Sequence, residues 1–99
     1  IQGIFELVKQ VMGIEFDEES LHYERFVTHL KFLAQRLYRH ELLKDEEIEF
    51  AKLMENKYPG EYECSKHIAE YIEKEYGGQI SGEEIMFLAI HIKRVCMTD

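Results

Sequence analysis

Apolar residues recur every three or four positions through almost all of this chain, and the pattern is cut at glycine and proline rather than by charged or low-complexity tracts. That period places one apolar stripe on each of a series of helices. From Gln2 to Met12 the stripe is Ile4, Phe5, Val8, Val11 and Met12, and Gly13 follows where a left-handed helix stop costs least. Ser20 caps a long second helix in which Phe26, Leu30, Leu33 and Leu37 share a face, with an end expected between Arg39 and Leu42. Asp45 is placed to cap a third helix, with Glu46 and Glu47 complementing its dipole and Ile48, Ala51 and Met54 as its stripe. Pro59 fixes its own backbone and pushes Tyr58 out of the helical region, so Tyr58-Pro59-Gly60 is read as a chain reversal.

A fourth helix buries Cys64, Ile68, Tyr71 and Ile72 and stops at Gly77-Gly78. Ser81 and Glu84 form a capping box for a fifth, whose stripe is Ile85, Leu88, Ala89, Ile92 and Val95. Phe87 and Ile90 make its far side apolar too, which places this helix between neighbours. No alternating segment stands beside a hairpin signal, and the short connections favour antiparallel neighbours. The expected fold is all-α, a five-helix bundle of antiparallel helices forming a single domain over residues 1–99.

Composition narrows the function. Twelve Lys and Arg against 20 Asp and Glu leave a net charge of −8 over 99 residues, which repels a phosphate backbone and argues against direct nucleic-acid binding. No apolar run approaches the roughly 20 residues that span a membrane. Two cysteines are too few for a disulfide framework, and the opening residues have no signal-peptide character, so a cytoplasmic location is expected. The first residue is Ile1, which suggests a fragment of a larger polypeptide.

The five histidines, His22, His29, His40, His67 and His91, are the side chains that change charge near neutral pH. On helical geometry His29 lies roughly 80° from the centre of its helix's apolar stripe and His91 roughly 100° from that of its own, so both sit at the rim of the core. Arg36 follows His29 by seven residues, and Arg94 follows His91 by three, giving each histidine an arginine on its own side. These read as two separated His/Arg clusters. His22 and His40 fall on roughly the side of His29, which could create an exposed row, with plain surface placement the simpler reason for both. The plain alternative is that rim histidines are ordinary surface residues.

Catalysis finds little support. No two histidines stand three or four apart as ligands on one helix do, and Cys64 of Cys64-x-x-His67 belongs to an apolar stripe, so no metal or cofactor is expected. Cys64 reads as core and Cys96 as a helix end, with no nucleophile pattern around either. Phosphate-loop, nucleophile-elbow and metalloprotease motifs are absent from the sequence. The chain is not expected to be an enzyme.

Two stretches are more specific. Arg25-Phe26-Val27-Thr28-His29-Leu30-Lys31-Phe32-Leu33-Ala34-Gln35-Arg36-Leu37 and Glu83-Glu84-Ile85-Met86-Phe87-Leu88-Ala89-Ile90-His91-Ile92-Lys93-Arg94 resemble the two histidine motifs of the PTS regulation domain. This is the phosphorylatable sensor of bacterial sugar-responsive transcriptional antiterminators and some activators. The resemblance covers essentially the whole chain, and its R-F-x-T-H-L-K form is similar to the second of the two tandem copies found in antiterminators. It implies a five-helix bundle that forms a homodimer. It implies that His29 and His91 are phosphoacceptors, served by the phosphocarrier HPr and in some members by a sugar-permease enzyme IIB. Arg36 and Arg94 match the family's basic partners and would stabilise the phosphoryl groups. RNA is then bound only through a separate N-terminal module, and phosphorylation shifts the dimer arrangement that controls it.

Three rival readings remain open on the residues. A histidine phosphotransfer relay needs only one exposed histidine, takes up one phosphoryl group and passes it to an aspartate receiver. A structural helical interaction domain would keep its partner regulation after both histidines are replaced. The same sensor could also belong to a DNA-binding activator, told apart by a helix-turn-helix upstream of Ile1.

Overall fold

The computed structural model describes residues 2–42 and 48–96. Five α-helices make up its regular structure: α1 (Gln2–Met12), α2 (Leu21–Arg39), α3 (Ile48–Lys57), α4 (Pro59–Tyr76) and α5 (Gly82–Cys96). There is no strand among the described residues. The expected Asp45 cap, with Glu46 and Glu47, lies outside them, as does the side chain of Ile48.

The boundaries follow from local chemistry. Gly13 takes a positive φ of 65° after α1, the conformation in which a residue without Cβ is least penalised. At the start of α2 the Ser20 hydroxyl accepts the Tyr23 N–H at 3.1 Å, satisfying one of the donors that a helix start leaves open. His40 closes α2 in the left-handed region at φ 58°, inside the expected window. Between α3 and α4 only Tyr58 is non-helical, and Pro59 occupies the first turn of α4, where its missing N–H costs nothing. Lys93 of α5 lies over the Tyr58 ring at 4.7 Å, tying that junction to the last helix. Gly77 ends α4 at φ 79°, its N–H bonded to the Glu73 carbonyl.

α5 is the central element, packing against α2, α3 and α4, while α1 packs on α4. That position explains its two apolar sides. Leu88, Ile92 and Val95 enter the main core with Phe26, Leu30, Leu33, Ile68 and Ile72, and Met86 and Ala89 form a second cluster with Tyr62. Ser65 is fully buried and donates from its hydroxyl to the Ile85 carbonyl at 2.5 Å, a polar link between α4 and α5 that apolar periodicity does not reveal. Gly3 lets α1 approach α4 closely, since a Cβ there would stand 2.1 Å from the Tyr71 hydroxyl. One stripe position departs from expectation: Val11 is 40% exposed, although Val8 before it is buried and Met12 after it packs on the core.

Candidate functional site

The site is built where α2 meets α5. His29 and His91 stack with ring centroids 4.4 Å apart and an interplanar angle of 29°. Further along the same pair of helices, Arg36 grips Glu84 through two hydrogen bonds, from Nε to Oε2 and from Nη2 to Oε1, both 2.7 Å. Seven residues forward on α2 are thus matched by seven residues back on α5, so the two helices run antiparallel in a fixed register. This register corrects the expectation of two separated His/Arg clusters. Each histidine stands at the rim of its own helix, and the packing of α2 on α5 brings the two rims together into one site.

The imidazoles are the middle of an aromatic ladder. Phe26 stacks beside His91 with centroids 6.4 Å apart, and Phe87 lies tilted beside His29 at 6.5 Å. Both histidines are half-buried, and His29 Nε2 is sealed from solvent without a hydrogen-bond partner. A cleft of about 350 Å³ opens over the pair, lined by Leu21, Glu24, Arg25, Thr28 and Phe32 together with the two histidines.

Burial and the neighbouring arginine charges act in the same direction on the rings. The His91 pKa is pulled down to about 4, first by loss of hydration, then by the adjoining His29 and by the positive charges of Arg94 and Arg25. His29 is lowered as well, by burial and then by Arg36, with the Glu84 carboxylate opposing. At neutral pH both imidazoles are therefore uncharged and keep a ring nitrogen lone pair, the state in which histidine acts as a nucleophile. The surroundings are cationic although the chain as a whole is acidic, because Arg25, Arg36 and Arg94 all act on this pair.

Of the residues singled out from sequence, His29, His91, Arg36 and Arg94 all belong to this site. Arg36 is not an unoccupied cation, since its guanidinium is held by Glu84, whose side chain is fully buried. The capping box is present on one side, with the Ser81 hydroxyl accepting the Glu84 N–H at 3.3 Å, yet the Glu84 carboxylate reaches across to α2. Arg25 was not singled out, although it stands one helical turn before His29 and that spacing signals a shared face. His40 stands apart from the imidazole pair. His40 lines an apolar groove with Leu30, Leu33, Leu37 and Tyr76, on a different side of α2 from the cleft. His67 is exposed and faces Glu63 on its own helix at 3.7 Å.

No group of three or more His, Cys, Asp or Glu fit to hold a metal occurs among the described residues. Burial pushes the Cys64 thiol up to about 12, which keeps it protonated and unreactive. No helix is long and apolar enough to cross a membrane.

Comparison with known proteins agrees with the two motifs. Residues 2–95 match the PRD domain family. The chain is 46% identical over 95 residues to the transcription antiterminator LicT of Bacillus subtilis, covering 96% of this chain and 34% of that protein. It is 39% identical over 95 residues to the beta-glucoside operon antiterminator of Dickeya chrysanthemi, with the same coverage of 96% and 34%. Protein GlcT of Staphylococcus aureus is 33% identical over 87 residues, covering 88% of this chain and 30% of GlcT. The chain spans about a third of the length of these relatives. With its helical bundle, its pair of histidine motifs and a match along nearly its whole length, the chain belongs to the PRD domain family.

Proposed function

We propose that this chain is the phosphorylation-responsive regulatory domain of a sugar-operon transcriptional antiterminator, with His29 and His91 as its phosphoacceptors. The observation that carries the reading is the stacked pair of uncharged imidazoles at the floor of a cleft, with three arginines acting on it. A neutral ring nitrogen attacks the phosphorus of a donor phosphohistidine. The donor's P–N bond breaks as the new P–N bond forms, the acceptor's other nitrogen gives up its proton to solvent, and the donor imidazole, leaving with the electron pair, takes one up. The donor proposed is the phosphocarrier HPr, with enzyme IIB of a sugar permease as a second source.

Each transfer replaces a neutral ring by a group carrying up to about two negative charges. Nε2 of His29 is closed off, so a donor reaches that nitrogen only after the ring turns out of the stack. Arg25, Arg36 and Arg94 are the cations whose charge favours the new anion, Arg and phosphate being matched in charge and in donor geometry. Placed at the contact between two copies of the domain, such charge selects between dimer arrangements, for which a few kcal/mol of differential stability is enough. The dimer in turn governs an RNA-binding module elsewhere in the protein, and this domain makes no RNA contact of its own. The R-F-x-T-H-L-K motif favours the second of two tandem copies, and the setting is the cytoplasm. The domain is a receiver of phosphoryl groups and not an enzyme.

The test is to incubate the chain with enzyme I, HPr and phosphoenolpyruvate and to follow both label and sedimentation. The expected result is labelling accompanied by a change in dimer population, both abolished in His29→Ala/His91→Ala. An unlabelled wild type, or undiminished labelling of the double variant, would remove the assignment.

A further inference from the structure

The Arg36–Glu84 pair is built in a way that a simple surface ion pair is not. Glu84 is in the first turn of α5 with its side chain fully buried, while Arg36 keeps 24% of its side chain exposed. Both nitrogens on one edge of the guanidinium, Nε and Nη2, donate to the carboxylate, each at 2.7 Å. That edge is the fork with which arginine holds a carboxylate or a phosphate, one at a time. Arg36 stands on the same helix as His29 and two turns beyond it, and helical side chains lean toward the N-terminus, which carries the guanidinium toward the histidine. Glu84 stands on the helix of His91.

We propose that Glu84 is a positioning residue that occupies Arg36 in the resting domain, and that a phosphoryl group on His29 displaces it, moving the guanidinium from carboxylate to phosphate. The inference rests on the reading of His29 as a phosphoacceptor, and it adds no covalent step to the transfer described above. A dianionic phosphoryl group attracts the guanidinium more strongly than a single carboxylate does. The exchange withdraws the guanidinium from a buried carboxylate, so phosphorylation meets a threshold and its consequence is delivered to the start of α5. Without Glu84 the arginine is available to phosphate at once. Sensitivity to the phosphorylated donor is then set by a residue that never touches the phosphoryl group.

Two measurements on the whole chain test this. In the wild type, the Nε–Hε resonance of Arg36 and the backbone amides from Ser81 to Glu84 are followed by NMR while His29 is phosphorylated from HPr; the expected result is that they move together with the appearance of the phosphohistidine signal. In Glu84→Gln, the equilibrium distribution of phosphate between HPr and His29 is measured. It is expected to shift toward the domain by about tenfold, the worth of one charge-assisted contact released from competition. The Arg36→Met/Glu84→Leu pair, which has no ion to bury, is expected to shift it the opposite way. A merely structural role for Glu84 predicts no gain in phosphate uptake. An Arg36 resonance that stays still while His29 is labelled, or a Glu84→Gln equilibrium at or below that of the wild type, overturns the inference and leaves the phosphoacceptor reading standing. Absence of label on His29 overturns both.

Discussion

Replacing Arg36 by methionine is the most informative perturbation of stability, because it takes from the buried Glu84 carboxylate the guanidinium that binds both its oxygens. The carboxylate is at 0% exposure and its two oxygens now receive the two 2.7 Å bonds from Arg36. Removing one partner of such a buried pair costs about 3–5 kcal/mol. Against the roughly 5–15 kcal/mol by which a domain is stable, that is a large fraction, and at about 4–8 °C per kcal/mol for a chain of this size the melting temperature falls by at least roughly 12 °C. Glu84→Leu is milder, about 1–2 kcal/mol, because the Arg36 head, 24% exposed, can turn to water. The double variant Arg36→Met/Glu84→Leu removes both charges and fills the space with apolar atoms, which brings stability back to within about 1 kcal/mol of the wild type. Urea unfolding followed by circular dichroism gives the four corners of the cycle. The expected coupling is about 3 kcal/mol or more. Single costs that simply add, with coupling below about 0.5 kcal/mol, would refute the claim that the two helices are joined through this pair.

Other outcomes follow from the same structure. Because the His91 pKa is lowered to about 4 and that of His29 is also lowered, the unfolded chain binds protons near pH 6.5 that the folded one refuses. The contribution is complete above pH 6.5 and is lost as pH falls toward 4, at about 1–2 kcal/mol once the half-exposed setting is discounted. Urea midpoints measured across this window are expected to fall with pH, and to fall less in His91→Gln; a flat profile in the wild type contradicts the lowered values. Gly77→Ala, forced into the left-handed region at φ 79°, costs about 1–2 kcal/mol in the same assay, and an unchanged midpoint would mean that α4 does not end there.

Much of the fold could be read from local signals because those signals are local in cause. Ser20, Gly13, Pro59 and Gly77 each set a helix boundary through their own backbone or a bond within one turn, and nothing distant is needed to interpret them. The rim positions of His29 and His91 were legible for the same reason. Their contact was not, since it depends on the register of α2 against α5, which two separate helical periodicities do not contain. Glu84 shows the limit most clearly. Ser81-x-x-Glu84 signals a helix start and the start is there, yet the carboxylate's larger role is set by an arginine 48 positions away in sequence. Ser65 likewise interrupts an apolar stripe and is buried because a carbonyl of α5 receives its hydroxyl. The exposed Val11 shows that helical period alone does not say how much of a stripe the neighbouring helices cover.

The account depends on His29 and His91 being the residues that take up phosphate. Site mapping of the chain after incubation with enzyme I, HPr and phosphoenolpyruvate tests this directly. The prediction is phosphate on His29 and His91 and none on His22, His40 or His67. Phosphate on any of the latter three, with His29 and His91 unmodified, would contradict it.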